Sequence, residues 1–583
     1  MNRARLAAVV IALIAAVTLV VRLPALGLRP MHCDEAVHAL KFDLLWHGGA
    51  YRYDPHEYHG PTLYYFTLPV VWASGTADFG SLREATLRLV PVIFGAGVVL
   101  LLVLLADGMG RAAAVWAALL TAASPAMTFY SRYYIQEMLL VFFTLALIAC
   151  GWRYARTGRL GWALAAGAAL GLMHATKETF VIAVGAMCAA LVATSLWRRS
   201  AIGVSAAHAP TKPDPDRIKG EETSGGRACT VSQEEPGPRS SAGGLAGYSA
   251  TADAARSTSR RPIRAVAVIA GLLVAAVVSM LLYSGMLADP HGIVDSVLTY
   301  RTYFERAGAG GAHEHPWDYY LRLLAWTHFG HGPVWSEALI LALAAVGAWV
   351  ALVGGGVHDE AGRVWFGRWL AVYAIVLTVA YGAIPYKTPW CALSFLQALA
   401  MLAGMGAAAI VRGAGRVRLR VVTAVVLLAG VGQLGVQARR ACSRRWCADY
   451  HNPYVYAQPQ FAVVHLARRI EELATVVPGG RPLLVKVMAD DYWPLPWYLR
   501  RLPQVGWWRC VPPAPDADVV VVGDELLARF SATAHDAYQI NSYGLRQPSV
   551  VLWLGVRRDL WDRYVRQRLM AAPAGSARNR DTP

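Results

Sequence analysis

Long apolar runs separated by short polar connections dominate this sequence. Eleven runs contain mostly apolar residues and approach the roughly 20 that a helix needs to cross a bilayer core. Their approximate bounds are 6–26, 88–106, 112–130, 137–153, 160–176, 179–197, 265–286, 335–354, 367–384, 390–411 and 419–437. The first run could also be a signal peptide, but it lacks a clear small-residue cleavage site. The pattern predicts a mainly α-helical, polytopic membrane protein with about 11 transmembrane helices.

The pattern changes in two places. Residues 198–264 are rich in Ser, Gly, Ala, Pro and charge, a composition typical of a disordered linker. After about residue 438, helical spacing in "QFAVVHLARRIEELATV" alternates with buried strands of the parallel type, "PLLVKVM", "ADVVVVGD" and "SVVLWLGV". The predicted domains are a membrane module with the first outer loop, a cytoplasmic linker, a second membrane module and a soluble extracytoplasmic α/β domain, at 1–197, 198–264, 265–437 and 438–583.

Composition supports a membrane protein and argues against nucleic-acid binding. The 583 residues are 56% hydrophobic and 16% charged, with a mean hydropathy of +0.37, whereas a soluble protein has about 25% charged residues. The net charge is +17. Because the basic residues are scattered over short connections, they indicate cytoplasmic loops and no nucleic-acid partner.

The distribution of Lys and Arg predicts the orientation in the membrane. The N-terminal "MNRAR" and the connection "RGAGRVRLR" are both basic, as are the other alternate connections. We therefore expect a multi-pass protein of the cell membrane with a cytoplasmic N-terminus and an extracytoplasmic C-terminal domain.

Unusual polar residues at membrane level fall on the predicted outer face. A charge near the bilayer is costly unless it is paired or faces water, so each of these residues is a candidate site residue. They are Asp34 and Glu35 after the first run, Arg88 in the second, Arg132 and Glu137 in "SRYYIQEM", Lys177 and Glu178 in "HATKETF", and Tyr386 and Lys387 in "PYKTPW".

Structural interpretations of the same residues stay open. Arg88 and Arg132 can extend to the interface from helix ends, Lys177 and Glu178 can form a solvated turn, and Glu137 can begin a helix. His32, His38, His56 and His59 show no regular metal-ligand spacing. A disulfide among Cys442, Cys447 and Cys510 cannot be assigned. The aromatic segments 57–72 and 315–335 suit either interfacial anchors or a groove for a lipid tail or sugar.

The ordered set of motifs resembles the GT-C superfamily. The acidic pair after the first run, "RLVPVIFG", "SPAMTFYSRYYIQEMLL", the Lys turn and "YKTPW" are similar to the dolichyl-phosphate-mannose–protein mannosyltransferases and the lipid A aminoarabinose transferases. The strings "HCDEAVHAL", "YKTPW" and "DDYWPLPWYLR" more closely resemble a prokaryotic family of flippase-activity-associated proteins. The resemblance covers most of the chain outside 198–264.

The resemblance implies an integral-membrane glycosyltransferase that uses a polyprenyl-phosphate sugar. Asp34 matches the catalytic base and Glu35 its neighbour. Arg88 matches an arginine linked to the active site, and Lys177 a lysine that meets the donor phosphate. Tyr386 and Lys387 correspond more loosely to a late basic segment. Glu137 stands where related enzymes carry Asp, which leaves the acceptor and any metal open.

The expected chemistry fits these residue types. Asp34 or Glu35 would deprotonate the acceptor hydroxyl, and Arg88, Lys177 and Lys387 would stabilise the leaving phosphate. A divalent metal, Mg or Mn, is a further expected cofactor, held by Asp34 and Glu137. The acceptor is a glycan, lipid or protein, and membrane lipids are further partners. Two rivals stay open: a flippase or flippase-accessory protein for lipid-linked oligosaccharides, and a structural or assembly protein.

Overall fold

The computed structural model describes residues 2–49, 51–56, 59–207, 264–307, 313–354, 362–514, 516–547 and 550–571. The predicted linker at 198–264 lies mostly outside these ranges. Its first described part, residues 198–207, continues the preceding helix rather than forming a linker.

Helices form the membrane part of the protein. In the N-terminal half they are α1 (Arg3–Arg22), α2 (Cys33–Gly48), α3 (Thr62–Ser74), α4 (Glu84–Met109, with a 3-10 turn at Leu102–Leu105), α5 (Arg111–Ala123), α6 (Pro125–Tyr130), α7 (Glu137–Thr157), α8 (Leu160–His174) and α9 (Phe180–Ala207). The second half contains α10 (Ala265–Tyr283), α11 (His291–Ala307), α12 (Tyr319–Ala325), α13 (Ala338–Val353), α14 (Arg363–Ala383), α15 (Pro389–Gly413) and α16 (Val417–Ala441).

The predicted membrane-spanning pattern is confirmed. Within the described ranges, 8 helices are long and apolar enough to cross a membrane, namely α1, α4, α7, α9, α10, α14, α15 and α16. Three shorter apolar helices, α5, α8 and α13, coincide with the remaining predicted segments. The protein is therefore a mainly helical multi-pass membrane protein. Helices α2, α3, α11 and α12 lie in the connections, where hydropathy alone did not predict them, and α6 occupies the end of the predicted run 112–130.

Small residues bring the spanning helices close together. A Cβ atom built on Gly167 of α8 would lie 1.9 Å from the carbonyl oxygen of Gly271 on α10. A Cβ atom on Gly347 of α13 would lie 1.9 Å from the carbonyl oxygen of Leu402 on α15. Only glycine permits such backbone contact, which is the usual way in which helices pack where lipid removes the hydrophobic driving force.

The C-terminal part forms a mixed sheet with helices. Its elements are α17 (Phe461–Ala474), β1 (Val485–Met488), α18 (Leu495–Tyr498), β2 (Val505–Trp508), β3 (Val519–Gly523), α19 (Asp524–Ala534), β4 (Tyr538–Arg546), β5 (Val550–Arg557) and α20 (Arg558–Ala571). The strand order is β2-β1-β3-β5-β4. The strands β1 and β3 are parallel neighbours, as predicted. The prediction of a parallel type was wrong for β5, because β5 runs antiparallel to β3 and pairs with β4.

The C-terminal domain packs on the same end of the membrane module as the acidic pair. Tyr498 accepts a hydrogen bond of 2.8 Å from the backbone N–H of Met31. The indole N–H of Trp497 donates to Glu84 at 2.9 Å, and Arg500 donates to the carbonyl oxygens of Phe79 and Leu82. These contacts hold the segment before α2 between the membrane helices and the C-terminal domain.

Candidate functional site

The acidic pair lies in the first turn of α2. His32 is the N-cap residue, and its ring nitrogen Nδ1 accepts a hydrogen bond of 3.1 Å from the backbone N–H of Asp34. In return, Glu35 accepts a hydrogen bond of 2.9 Å from the backbone N–H of His32. This reciprocal capping satisfies donors at the helix start and fixes the position of both carboxylates.

Glu35 lies at the centre of a buried, hydrogen-bonded cluster, which we call the Glu35 centre: Glu35, Arg29, Arg88, the N–H of Tyr134 and the N–H of His32. Its carboxylate accepts hydrogen bonds from Arg88 Nε and Nη2 at 2.7 Å each, from Arg29 at 2.9 Å, and from the Tyr134 N–H at 2.8 Å. Its side chain is completely buried. Burial alone would raise the pKa of Glu35, but the charges of Arg29 and Arg88 lower it to about 2.

Arg88 is part of the Glu35 centre rather than a phosphate ligand. Its Nη1 donates to the carbonyl oxygens of Leu26 and Arg29 at 2.7 and 2.9 Å, and its Nη2 also donates to Pro30 at 3.3 Å. A guanidinium has five donors, and the bonds to Glu35 and these carbonyl oxygens use all of them. The prediction that Arg88 binds the donor phosphate does not fit this geometry.

Asp34 is exposed where Glu35 is buried. Its side chain is 47% exposed, and its nearest charged neighbour is His32, at 3.8 Å from Nδ1. The His32 Nε2 lies 3.0 Å from the carbonyl oxygen of Tyr456. Since Nδ1 accepts from the Asp34 N–H, Nε2 is the nitrogen that donates to this carbonyl oxygen. No hydrogen bond joins the Asp34 carboxylate to another described residue, so its oxygens are available to a ligand.

Lys177 forms a buried ion pair with Glu137. The ammonium group donates to the Glu137 carboxylate, and each residue is only 5% exposed. Burial alone would lower the pKa of Lys177, but the Glu137 carboxylate raises it above its usual value, so Lys177 stays protonated. An ammonium group has three donors, and Glu137 takes one of them. The structure therefore leaves Lys177 able to contact a further anion.

His38 is within electrostatic reach of both Asp34 and Lys177. The charges of both residues act on its ring, and its Nδ1 is 2.9 Å from the hydroxyl of Tyr64. Burial and the neighbouring cations lower the pKa of His38 to about 3, so the ring is neutral at ordinary pH. We refer to Asp34, His32, His38 and Lys177 as the Asp34 face.

The two late candidates point in different directions. Tyr386 is 48% exposed, and its ring centroid lies 4.8 Å from that of His313. Lys387 is 1% exposed and donates from Nζ to the carbonyl oxygens of His315, at 3.0 Å, and Ile384. Lys387 therefore joins two backbone segments, and its role as a phosphate ligand stays a prediction.

Comparisons with known proteins define the fold. A family model described as dolichyl-phosphate-mannose-protein mannosyltransferase matches residues 12–207. None of the curated protein sequences matches the chain. The crystal structure of ArnT from Cupriavidus metallidurans bound to undecaprenyl phosphate is similar, with a TM-score of 0.55 and 15% identity over 93% of this chain and 97% of ArnT. The protein has the GT-C fold.

A second structure supports the same assignment. The apo state of ArnT from Cupriavidus metallidurans matches with a TM-score of 0.53, again at 15% identity and over 93% of this chain and 97% of that chain. Together with the family-model match over residues 12–207, these structures confirm the predicted GT-C fold. Closer kinship with the flippase-activity-associated proteins stays a prediction.

The sequence did not predict that a group of aromatic rings, Trp390, Tyr456 and His313, borders the Asp34 face of this GT-C protein. The ring of Trp390 lies 5.6 Å from His32 and 5.7 Å from Tyr456, and the Tyr456 hydroxyl is 2.5 Å from His313 Nδ1. These residues come from segments hundreds of positions away along the chain. Only the aromatic composition of 315–335 gave a signal, and it did not point to position 390 or 456.

The predicted metal ligands have separate environments in this GT-C protein. Glu137 is paired with Lys177, whereas Asp34 faces outward. Among the described residues, no group of three or more His, Cys, Asp and Glu side chains is close enough to hold a metal ion. His59, one of the four histidines near the acidic pair in the sequence, bonds through Nδ1 to the Glu178 carboxylate at 2.8 Å. The divalent metal stays a prediction.

Proposed function

We propose that this GT-C protein transfers a sugar from a polyprenyl-phosphate donor to an acceptor hydroxyl at the membrane surface that bears Asp34. The observation that carries the proposal is the presence, around His38, of an exposed carboxylate, Asp34, and a protonated and incompletely bonded lysine, Lys177, whose charges both act on the His38 ring. The bound undecaprenyl phosphate in the structure of ArnT supports a polyprenyl-phosphate donor.

Asp34 is the proposed general base. A carboxylate that takes a proton from an acceptor must be ionised, reachable and held in place. Asp34 is 47% exposed, and its backbone N–H is held by His32. Glu35 cannot take this role, because its oxygens already accept five hydrogen bonds inside the protein.

Lys177 is the proposed cation for the leaving phosphate. Its charge is kept by Glu137, which also fixes the direction of the ammonium group. A fixed cation stabilises the negative charge that develops on the phosphate as the glycosidic bond breaks. Tyr386, which is 48% exposed on the late segment, is a second proposed contact for the donor.

The active face is proposed to lie outside the cytoplasm. The support is the placement of Arg-rich connections on the opposite side of the membrane from Asp34. Nucleotide sugars are cytoplasmic, so an enzyme acting outside needs a lipid-carried donor. Reporter fusions after residue 264 and after residue 445 should report the cytoplasm and the outside, respectively. Two reports from the same side would contradict the proposed topology.

The donor class is tested directly with purified protein. The full chain is incubated with a panel of polyprenyl-phosphate sugars and with candidate glycan, lipid and peptide acceptors, and the released polyprenyl phosphate is measured. We expect release with at least one donor, and release lowered by about 10²–10⁴-fold in the Asp34→Asn variant with that donor. Release that is equal in the variant would contradict the proposed base, and transfer from nucleotide sugars alone would contradict the donor class.

The proposed metal is tested in the same assay. Transfer is measured after exhaustive chelation and after addition of Mg or Mn. A cation at Asp34 and Glu137 would have to compete with Lys177 for the Glu137 carboxylate. Activity that returns only with the added cation would support this site, and activity that survives chelation would remove the metal from the proposal.

A further inference from the structure

The side of α2 that carries Asp34 also carries His38. The two residues are four positions apart in the helix, so their side chains project on the same side, one turn or about 5.4 Å apart along the axis. The Asp34 side chain is 47% exposed there, and His38 is 5% exposed. The His38 ring therefore lies within one helical turn of the proposed base.

Two neighbours fix the Nδ1 side of the His38 ring. The Tyr64 hydroxyl lies 2.9 Å from Nδ1, and the amide nitrogen of Gln136 lies 3.4 Å from it. An amide nitrogen can only donate, so Nδ1 accepts. Because the ring is neutral, its one proton is on Nε2. His38 therefore presents an uncharged N–H donor on the side of the ring that faces away from Tyr64 and Gln136.

Two polar atoms at this place are unused by the protein. His38 Nε2 makes no hydrogen bond to a described residue, and it is not one of the polar atoms that are fully enclosed without a partner, so a ligand can reach it. Next to it, Gln136 is 0% exposed and its Oε1 has no partner. A buried polar atom without a partner is costly. Hydroxyl groups, which both donate and accept, would suit such a pair of atoms.

The same residues connect His38 to the proposed cation. Gln136 and Glu137 are consecutive at the start of α7. Gln136 contacts His38, and Glu137 accepts a hydrogen bond from the Lys177 ammonium. The charges of Asp34 and Lys177 both act on the His38 ring, although His38 makes a hydrogen bond to neither. His38 is thus a neutral donor in the neighbourhood of both the base and the cation.

The geometry of a displacement brings the sugar to such a residue. In a single displacement at the anomeric carbon, the acceptor oxygen and the leaving phosphate oxygen lie on opposite sides of that carbon. Asp34 acts on the first oxygen and Lys177 on the second, so the sugar occupies the space that both residues reach. Positive charge develops on the sugar ring as the glycosidic bond breaks. An uncharged donor can bind a hydroxyl group there without opposing that charge.

We propose that His38 Nε2 donates a hydrogen bond to a hydroxyl group of the transferred sugar and thereby helps to determine which sugar the enzyme accepts. Tyr64 and Gln136 are positioning residues, because they act by holding Nδ1. The identity of the ligand as a sugar rests on the proposed sugar transfer. His38 transfers no proton in this role, since Nε2 keeps its proton throughout.

Binding without an acceptor tests the sugar contact apart from transfer. Native mass spectrometry of the full chain compares polyprenyl phosphate with polyprenyl phosphates that carry a hexose, an N-acetylhexosamine or a pentose. We expect at least one sugar lipid to bind more tightly than the bare lipid. His38→Asn should reduce that advantage severalfold, as expected for the loss of one hydrogen bond, and should leave binding of the bare lipid unchanged. An advantage that survives in His38→Asn, or none in the unchanged protein, would overturn the proposal.

A second substitution distinguishes a sugar contact from a structural role. The asparagine amide occupies the position of Nδ1 and keeps the contacts to Tyr64 and Gln136, whereas the glutamine amide reaches the position of Nε2 and keeps the donor. We expect His38→Asn to unfold like the unchanged protein, and His38→Gln to retain more of the sugar advantage. The matched control is His47→Asn, an exposed histidine in the last turn of α2, which should change neither quantity. An advantage lost only in His38→Gln would give His38 a structural role alone.

Transfer kinetics separate failure of this contact from failure of the proposed function. With a transferred donor, His38→Asn should lower kcat/KM severalfold and narrow the preference among sugars. The pH profile of transfer should not change, because the pKa of His38, about 3, keeps the ring neutral. A sugar preference that is the same in His38→Asn would contradict the contact alone. A sugar lipid that binds through His38 but is never transferred would contradict the transferase and leave the contact standing.

Discussion

The Glu35 centre and the Asp34 face begin at neighbouring residues and have opposite properties. Glu35 is completely buried and accepts five hydrogen bonds, two of its donors being arginines. Asp34 is 47% exposed and makes no hydrogen bond through its carboxylate to a described residue. The Glu35 carboxylate has no capacity left for a ligand, whereas the Asp34 face has a free carboxylate and a lysine with unused donors.

This difference separates the residues that hold the site from those that can react. The Glu35 centre ties α4, the segment before α2 and the Tyr134 segment to one helix turn, and that turn carries Asp34. A rigid support of this kind lowers the cost of positioning a reactive group. The adjacent carboxylates therefore need not share a proton or a metal, because the structure gives them separate neighbours.

Asp34→Asn should produce the largest loss of activity. The amide keeps the shape of the side chain but cannot take a proton. Transfer should therefore fall by about 10²–10⁴-fold, the usual contribution of a positioned general base. The measurement is single-turnover release of polyprenyl phosphate. Thermal unfolding should be almost unchanged, because the Asp34 side chain is exposed and supports no buried contact.

Asp34→Glu serves as the control, since it retains a carboxylate at a shifted position. It should keep more activity than Asp34→Asn. If Asp34→Asn retains full transfer while the protein is folded, Asp34 is not the base, and a flippase-accessory function becomes the better interpretation of the chain.

Glu35→Gln should mainly reduce stability. It leaves Arg29 and Arg88 buried without their counter-charge, and breaking a buried ion pair in this way costs about 3–5 kcal/mol. The measurement is thermal or denaturant unfolding in detergent, with the yield of monodisperse protein as a second readout. A variant that unfolds like the unchanged protein but has lost transfer would show that Glu35 reacts directly.

The pH dependence of stability sharpens the same comparison. The pKa of Glu35 is lowered from 4.5 to about 2 in the folded protein. A lowered acid pKa stabilises the folded state fully above pH 4.5, and this contribution is lost as the pH falls from 4.5 towards 2. Glu35→Gln should remove that part of the pH dependence, whereas Asp34→Asn should leave it in place.

Lys177→Ala should have an intermediate effect. Loss of a charge-assisted contact to the donor phosphate should cost roughly 1.5–3 kcal/mol of donor binding or transition-state stabilisation. The single variant also leaves Glu137 buried without its partner, so the double variant Lys177→Ala/Glu137→Gln is the informative one. Donor kinetics that recover in the double variant would show that Lys177 only neutralises Glu137, and kinetics that stay impaired would support the phosphate contact.

The fold was predictable from hydropathy because each spanning helix is specified locally. Each predicted run coincides with a spanning or a shorter apolar helix, since length and apolar content are properties of one segment. The strands β2 and β4 were missed. The residues of β2, at Val505–Trp508, are all partly exposed, so no buried apolar run marks that strand.

The candidate site was predictable only in part, because partners are chosen by packing over long distances. The sequence located Asp34, Glu35 and Lys177 as unusual charges near the membrane. It could not show that Arg88, 53 positions away, bonds to Glu35 rather than to a phosphate. Nor could it show that the Lys387 ammonium turns inward to backbone carbonyl oxygens. The residue types identified candidate site residues, but they did not indicate which way each side chain points.

His32 belongs to both regions, and its variants should give the smallest effects. Its backbone N–H bonds to Glu35, its ring Nδ1 accepts from the Asp34 N–H, and its Nε2 donates to Tyr456. His32→Ala removes the side-chain cap of α2 and should lower stability by about 1 kcal/mol. Asparagine is a good N-cap, so His32→Asn should restore that stability but not the bond to Tyr456.

Measuring sugar transfer by His32→Ala and His32→Asn then distinguishes a role of His32 in stability from a role in positioning the Asp34 face. If the Tyr456 bond keeps the His32 ring under Asp34, His32→Asn should be as stable as the unchanged protein and still transfer sugar several times more slowly. The measurements are thermal unfolding and single-turnover transfer on the same preparations. Recovery of both quantities in His32→Asn would mean that capping is the whole contribution of His32, and that the Asp34 face begins at Asp34 itself.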